Sequence, residues 1–492
     1  MNNNSTLFKL LSSQEAKLFI HFLTRRNKRL DTNNIALFKS VLKGKEEQIR
    51  NSMSTNAYNV MYMRLKNALL DFMANNIMES ELTEEVQLIK QIVLARKLFT
   101  QKQLKLAFSI LHKVEKQAKS INHYSILNEV YHTLIEYSHL DISEDQLLLF
   151  QKMEVNSKAF IAQERLNMVY AEIRLAFKNE KDIDLKQILE EGYLKYNIPK
   201  NTAHNFKTLY QLAMIADITG TNSKDFHSID LFFMDEVNEI AGGKLDSEAH
   251  LIYHIDLLYS IANIFFRKKE FKKSLAYLKR MLEQMNRSGG RYFDSRIMNY
   301  STLVALNENF SGNYSVAEDV LDNVMLNRNI IKEELGLPIL TRTMIHFQQG
   351  ELKQAKKQLS LLNHSESWYE KKNGLEWVLN KRFIEILLHI EFSDVDYVES
   401  RINSLIKKYG AYLKNNPDTQ VISFLKLVKR FFNEPELVRS NEFKILVEDS
   451  ISWKKYEQED VFLMSYYAWL KSKMENRNVY AVTLEIINKV EV

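Results

Sequence analysis

Residues 262–281 read ANIFFRKKEFKKSLAYLKRM, and the order of small and large side chains in this stretch decides the fold class. From Ala262, steps of nine, three, four and three residues lead to Phe271, Ser274, Leu278 and Met281. The same steps give three further series elsewhere in the chain. These are Ala305, Tyr314, Ala317, Leu321 and Val324; Thr343, Leu352, Ala355, Leu359 and Leu362; and Ala95, Leu104, Ala107, Leu111 and Val114. Each series has the order small, large, small, large, large.

This order is typical of a helical hairpin. A small residue on the first helix lets the second helix approach closely, and apolar residues spaced by threes and fours form one stripe on the second helix. Gly312 and Gly350 stand where a helix often ends in a left-handed conformation. Ser315 and Glu318 predict a capping box at the start of one second helix. The sequence therefore predicts an all-α protein with about two-thirds of its residues or more in helices.

The four series resemble the tetratricopeptide repeat, whose hairpins show the same alternation around a turn. The units here are degenerate and extended, because 43 residues separate Ala262 from Ala305 and 38 separate Ala305 from Thr343, against roughly 34 in the family. The resemblance implies an α-solenoid of stacked antiparallel helical hairpins. Between Ala95 and Ala262 there is space for three further units, which we expect to be decayed repeats with no alignable signature.

We expect three regions along the chain. Residues 1–80 form a small basic N-terminal helical subdomain, which is either a three-helix head or a cap. Residues 81–440 hold the degenerate repeats, and residues 441–492 form C-terminal capping helices that close the stack or self-associate. The positive charge lies in the head, because residues 1–80 contain 12 Lys and Arg against 6 Asp and Glu while the whole chain carries only +5.

The head invites two interpretations. Its third helical pattern places Asn59, Tyr62 and Lys66 outside the apolar stripe, as in a helix that enters the major groove of DNA. Some bacterial peptide-responsive regulators pair such a head with similar repeats. However, the link KGKEEQIRNSMS at residues 43–54 is longer than the tight turn of a helix-turn-helix. We therefore favour a subdomain that caps the repeats, since stacked repeats need a polar end.

Residues 263–282 carry seven Lys and Arg and one Glu. The three other series repeat the apolar frame of this stretch without its charge, so the charge is expected on a solvated helix face. A membrane-surface helix would need an exposed apolar side, but here the predicted packing of the hairpin buries that side. Binding of an acidic partner is the alternative.

Motifs of catalysis are missing. The sequence has no phosphate-binding loop, no GxGxxG, no GxSxG, no HExxH and no cysteine. His250 and His254 lie one helical turn apart, but no third metal ligand is identifiable. We predict a protein that is not an enzyme and that binds no metal or cofactor.

The sequence also predicts a cytoplasmic protein. No segment approaches the run of about 18 uncharged apolar residues that a membrane span requires. The first residues, MNNNSTLFKLLSSQEAKLF, lack the pattern of a secretory leader. We therefore expect no membrane association.

The resemblance implies a concave groove built from the first helix of each hairpin, which receives a protein or peptide. The residue after each small residue faces this groove, and so does the residue one turn later. By position, the first set is Arg96, Asn263, Leu306 and Met344, and the second is Phe99, Phe266, Asn309 and Phe347. The candidate partner-binding residues are Arg96, Phe99, Asn263, Phe266, Arg267, Asn309 and Phe347. The alternative is that these residues contact neighbouring repeats.

The function expected from these observations is a non-catalytic scaffold or adaptor that binds a protein or peptide in the groove. The alternative is a transcriptional regulator with a DNA-binding head, residues 1–80, and repeats that sense a ligand or peptide. An enzyme or enzyme subunit is a third hypothesis, kept only because residues far apart in the sequence can converge in the fold. The sequence leaves the partner and the oligomeric state open.

Overall fold

The computed structural model describes residues 8, 11, 13–26, 32–42, 46–80, 84–140, 145–179, 185–198, 211, 251–327, 330, 334–415, 420–450 and 461–488. Within these residues 88% are helical, in 22 α-helices, and no strand occurs. This confirms the predicted all-α class and its helix content. The chain divides into two compact units, residues 1–118 with 126–150 and residues 119–125 with 151–492.

The first unit begins with the head. The helices that lie wholly or mostly in this unit are α1 (Ser13–Arg26), α2 (Thr32–Leu42), α3 (Glu46–Asn51), α4 (Thr55–Ser80), α5 (Glu84–Thr100), α6 (Leu104–Ser120) and α7 (Tyr124–Tyr137). Helices α1, α2 and α4 share one apolar core in which Phe19, Phe38, Leu65 and Leu69 are fully buried. The head thus has four described helices rather than the expected three, because the short α3 lies in the link between α2 and α4.

The second unit contains the remaining helices. They are α8 (Gln146–Asn179), α9 (Leu185–Lys195), α10 (Leu251–Arg267), α11 (Phe271–Met285), α12 (Phe293–Phe310), α13 (Tyr314–Met325), α14 (Gly336–Gln348), α15 (Leu352–Leu359), α16 (Glu366–Asn373), α17 (Leu375–Glu391), α18 (Val395–Asn415), α19 (Gln420–Asn433), α20 (Asn441–Ser450), α21 (Val461–Glu475) and α22 (Val479–Asn488). Helix α8 is continuous over 34 residues. Decayed repeats were expected in this region, but residues 146–179 form one long helix and not a hairpin. Most of residues 199–250 lies outside the described residues.

Three of the four predicted hairpins follow one another in the second unit as α10–α11, α12–α13 and α14–α15. The fourth is α5–α6 in the first unit, where the rings of Phe99 and Phe108 are in contact. The residue predicted to permit close approach is fully buried in each of them, at Ala95, Ala262, Ala305 and Thr343. In the first of the three successive hairpins, the hydroxyl of Ser274 also donates to the carbonyl of Ala262 over 2.8 Å. The helices of this hairpin therefore meet through small side chains, as their spacing predicted.

The four hairpins turn in the same way. Seven residues after each small residue the backbone is left-handed, with φ of 60° at Lys102, 64° at Lys269, 92° at Gly312 and 79° at Gly350. In α12–α13 the Asn313 N–H donates to the Glu308 carbonyl over 2.8 Å, and the Gly312 N–H donates to the Asn309 carbonyl. These are the two hydrogen bonds of a Schellman motif, and equivalent pairs close the other three turns.

A fifth hairpin of this kind, α17–α18, was not predicted. Ser393 takes the left-handed conformation with φ 57°, and Ile386 precedes it by seven residues. From Ile386 the steps of nine, three, four and three lead to Val395, Val398, Ile402 and Leu405. Ile386 and the last three are buried, although two large residues replace the small ones.

Candidate partner-binding wall

The first helices of the successive hairpins lie side by side in the second unit. Helix α12 contacts α10 and α14, and α14 contacts α17. We call the surface formed by α10, α12, α14 and α17 the first-helix wall. Five of the seven predicted partner-binding residues lie on it, and Arg96 and Phe99 lie in the first unit on α5.

On α10, Asn263 and Arg267 are partly exposed, whereas Phe266 is buried. The Phe266 ring lies 5.9 Å from the ring centroid of Phe271 and 6.1 Å from that of Phe310. Phe266 thus joins the contact between two hairpins instead of facing an open groove. Asn263 and Arg267 are the two predicted wall residues that keep accessible surface.

On α12 and α14 the predicted residues Asn309 and Phe347 are buried, and so are Leu306 and Met344. The Asn309 side-chain amide donates to the Gln348 side-chain carbonyl over 2.9 Å. This bond links α12 with α14. In this conformation the side chains of Asn309 and Phe347 are therefore covered by the packing of the wall and its neighbours.

Helix α22 accounts for part of this cover. The Tyr480 hydroxyl donates to the Asn309 carbonyl over 2.6 Å, and the Asn488 amide donates to the Phe310 carbonyl over 3.2 Å. Burial raises the pKa of Tyr480 to about 12, so its hydroxyl keeps its proton and donates at neutral pH. Helix α22, which belongs to the C-terminal tract that was expected to close the stack or to self-associate, thus contacts the first-helix wall.

Helix α21 is fixed to the wall at α17. The Trp469 indole N–H donates to a carboxylate oxygen of Glu391 over 2.6 Å, and the Lys473 ammonium lies 2.5 Å from the same oxygen. Tyr466 donates to Asn380 on α17. Trp469 is fully buried. These contacts make α21 part of the core.

In the first unit, Arg96 and Phe99 contact α7. The Arg96 guanidinium lies 2.6 Å from a carboxylate oxygen of Glu129 and donates to the Thr133 hydroxyl. The Phe99 ring stacks on Tyr137 with centroids 4.1 Å apart. Both side chains therefore take part in helix packing, which was the alternative considered for them.

A charged cluster joins α13 to α14. Arg342 lies 2.8 Å from Glu318 and 2.6 Å from Asp322, and His346 lies 2.6 Å from Glu351. Burial opposes the charged form of Arg342, but Glu318 and Asp322 together raise its pKa. The ion pairs of Arg342 with Glu318 and Asp322 therefore link the hairpin α12–α13 to the hairpin α14–α15. The predicted capping box fails here, since Asn313 precedes the helix start at Tyr314 and Glu318 instead accepts from Arg342.

The head differs from the DNA-binding expectation at one residue. Tyr62, expected on the outer face of α4, is buried against Phe8, with ring centroids 5.4 Å apart. Asn59 is exposed and Lys66 is partly exposed.

No three His, Asp or Glu side chains of the described residues are grouped to hold a metal ion. His254 lies on α10, and His250, its predicted neighbour, lies outside the described residues. In the described part of the chain, no helix combines the length and the apolar character that crossing a membrane requires.

Comparison of the chain with protein-family models, with curated proteins and with solved structures gave no significant match. Three residues that shape the wall were missed in the sequence: Gln348, Tyr480 and Asn488. Their contacts with α12 span 39, 171 and 178 residues. The apolar character of the C-terminal tract was a signal for Tyr480 and Asn488, whereas no pattern in the sequence pointed to Gln348.

Proposed function

We propose that this protein is a non-catalytic helical-repeat scaffold of the tetratricopeptide type, whose hairpins stack as an α-solenoid and whose first-helix wall binds a segment of a partner protein. The observation that carries the proposal is the docking of α22 against α12 and α14. This part of the wall binds a helix of its own chain through apolar contacts and hydrogen bonds. Capture of an amphipathic helix through spaced apolar anchors is a recurring mode of protein recognition.

Helix α10 supplies the accessible edge of the proposed surface. Asn263 and Arg267 are one helical turn apart and partly exposed. An amide offers both a donor and an acceptor, and a guanidinium offers a fork of donors that suits carboxylates. A partner that reaches this edge would gain polar contacts beside the apolar wall.

The test begins with affinity capture of the intact protein from its native cell extract. The affinity of the captured partner is then measured for Asn263→Ala, for Arg267→Ala and for the control Lys272→Ala, which changes an exposed residue of α11. We expect each wall variant to lose about 1–3 kcal/mol of binding free energy, because a polar group of the partner loses its bonding group. The control should bind as the parent does.

Equal affinity for all three variants would contradict the proposal. If binding instead falls with Arg64→Glu, on the exposed face of α4, the function moves to the head. The transcriptional-regulator hypothesis would then take its place. The cytoplasmic location stays a prediction.

A further inference from the structure

Helix α22 has one buried apolar face. Val482 and Ile487 are fully buried, and Ile486 is nearly so. All three belong to the apolar cluster that contains Phe310 and Met344 of the wall. On the same helix Ala481 is exposed. The cluster also contains Met464 and Ala468 of α21, and the charged residue Glu485 on the other side of α22 is partly exposed. Helix α22 is therefore an amphipathic helix whose apolar face packs on α21 and on the first-helix wall.

Two hydrogen bonds fix its position. Tyr480 and Asn488, at the two ends of α22, donate to the carbonyls of Asn309 and Phe310. Both carbonyls belong to the last turn of α12, where the carbonyl groups no longer have the usual intrahelical donors. The Asn309 carbonyl already accepts from the Gly312 N–H, so Tyr480 adds a second donor there, and Asn488 donates to the Phe310 carbonyl.

The wall beside this contact holds an amide pair that α22 leaves incompletely bonded. The Asn309 side-chain oxygen and the Gln348 side-chain nitrogen are buried and have no hydrogen-bond partner among the residues that the structure describes. The two residues make one bond to each other, from Asn309 to Gln348. A buried amide that lacks a partner counts against the state that contains it, so the docked state carries a cost that a different occupant could remove.

Helix α21 is held more firmly than α22. It places Met464, Trp469 and Leu470 at full burial, in addition to the bonds of Trp469 and Lys473 with Glu391. The turn between α21 and α22 contains Asn476 in the left-handed conformation. Helix α22 packs mainly on α21, and its Glu485 pairs with Lys471 and Arg477. Its contacts with α12 and α14 are fewer, so the contact with the wall is the smaller part of what offsets the conformational entropy of its residues.

Resting on the proposed function, we propose that α22 is an exchangeable internal occupant of the first-helix wall, and that a partner protein displaces it with an amphipathic helix of its own. The partner helix carries aliphatic residues at the spacing of Val482, Ile486 and Ile487. It also carries an Asn or Gln side chain that bonds to the amide pair of Asn309 and Gln348. The wall is then the regulated site, open to partners only when α22 leaves.

The incompletely bonded amides of Asn309 and Gln348 favour a partner protein over a second copy of this chain as the occupant that displaces α22. The α22 of another copy offers the same groups as the resident helix, which has the advantage of a high effective concentration through its covalent link. A second copy therefore gains no contact that would displace the resident helix. A partner whose side chain satisfies both amides does gain one.

The probe for exchange is a fluorescent peptide with the sequence of residues 477–488, RNVYAVTLEIIN. It is titrated against the full-length parent, against full-length Ile486→Asp and against the control Ala481→Asp. We expect Ile486→Asp to bind the peptide at one to one and at least tenfold more tightly than the parent or the control, because its own α22 no longer fits the wall. A peptide that itself carries Ile486→Asp should not bind. No binding to a folded Ile486→Asp protein, or equal binding to all three proteins, would overturn the proposal.

Amide hydrogen exchange of the unmutated protein gives a measurement that does not depend on a variant folding. Residues 479–488 should exchange at least tenfold faster than residues 461–475, and faster still when the captured partner is added. Equal protection of the two helices, or no change with the partner, would overturn the proposal. So would a dimer of the parent that dissociates on Ile486→Asp, since the site would then serve a second copy.

The peptide titration uses no partner protein, and the affinity test of Asn263 and Arg267 uses no peptide. A result against the proposed function therefore leaves the exchange of α22 to be judged on its own, and the reverse is also true.

Discussion

The hydroxyl of Ser274 donates a 2.8 Å hydrogen bond to the carbonyl of Ala262, and both residues are completely buried. The bond joins the two helices of one hairpin at their point of close approach. A backbone carbonyl inside a helix already accepts from its own helix, so the additional donor is available only because both side chains are small.

Replacing Ala262 with Leu should overpack this contact. We expect the free energy of unfolding to fall by about 1–3 kcal/mol, because added methyl groups in a filled core force neighbours apart. Thermal unfolding followed by circular dichroism measures the change. The control is Ala276→Leu, since Ala276 is exposed on α11. An unchanged melting temperature for Ala262→Leu would show that the helices have room to spare.

The left-handed turn residues should respond in opposite ways to glycine and to alanine. Lys102 has φ 60° and an exposed side chain, so Lys102→Gly should stabilise the protein by up to about 1 kcal/mol by removing backbone strain. Gly312→Ala should destabilise the protein by about 1–2 kcal/mol, because an alanine with φ 92° has a strained backbone. Its Cβ atom would make only ordinary van der Waals contacts, so no steric clash adds to this cost. Urea unfolding midpoints measure both changes.

The matched control is Lys105→Gly, in the first turn of α6, where the backbone is helical and the side chain is exposed. There glycine should cost about 0.5–1 kcal/mol. If Lys102→Gly and Lys105→Gly shift the midpoint in the same direction, the backbone argument is wrong.

Glu366 should make stability depend on acid. Burial alone would raise its pKa, but the hydrogen bond and charge of Arg382, together with Lys408, outweigh burial and lower the pKa below its usual value. A lowered pKa in the folded state stabilises the protein above the unfolded pKa of about 4.3, and this contribution disappears as the pH falls through the folded value.

The stability difference between the parent and Glu366→Gln should therefore be largest near neutral pH and shrink below about pH 4. Urea midpoints of both proteins at a series of pH values test this. If the difference in urea midpoint between the two proteins stays constant down to the lowest pH measured, the interaction of the Glu366 charge with Arg382 does not contribute to the free energy of unfolding.

The scaffold proposal predicts that the head does not bind DNA tightly. The fluorescence anisotropy of a labelled random DNA duplex should show no strong, salt-sensitive binding. Such binding requires many contacts to phosphates, each of which releases counterions, and the scaffold proposal expects none in the head. Tight binding that falls by several powers of ten between low and moderate salt, and that Arg64→Glu weakens, would instead support the regulator hypothesis.

Local patterns in the sequence predicted the hairpins because each depends on residues close along the chain. The steps from Ala262 and Ala305 found the buried small residues and the left-handed turns. The same rule missed α17–α18, because Ile386 and Val398 stand where small residues were required. A rule that ignored side-chain size, and that used only the spacing and the turn at Ser393 seven residues after Ile386, would have found this hairpin.

The state of the wall was beyond such local reasoning. Asn309 and Phe347 occupy the positions that the resemblance assigns to a groove, yet they are buried. Helix α22 bonds to the Asn309 carbonyl through Tyr480, which lies 171 residues further along the chain. No spacing rule over ten or twenty residues can report a contact at that distance.

That separation also has a consequence for synthesis. A ribosome that adds about 5–20 residues per second needs roughly 10–30 seconds to travel from Asn309 to Tyr480. During this interval α12 has left the ribosome or is leaving it, while the helix that shields Phe310 does not yet exist. The nascent chain therefore exposes the apolar side chain of Phe310 and its neighbours until α22 has been made.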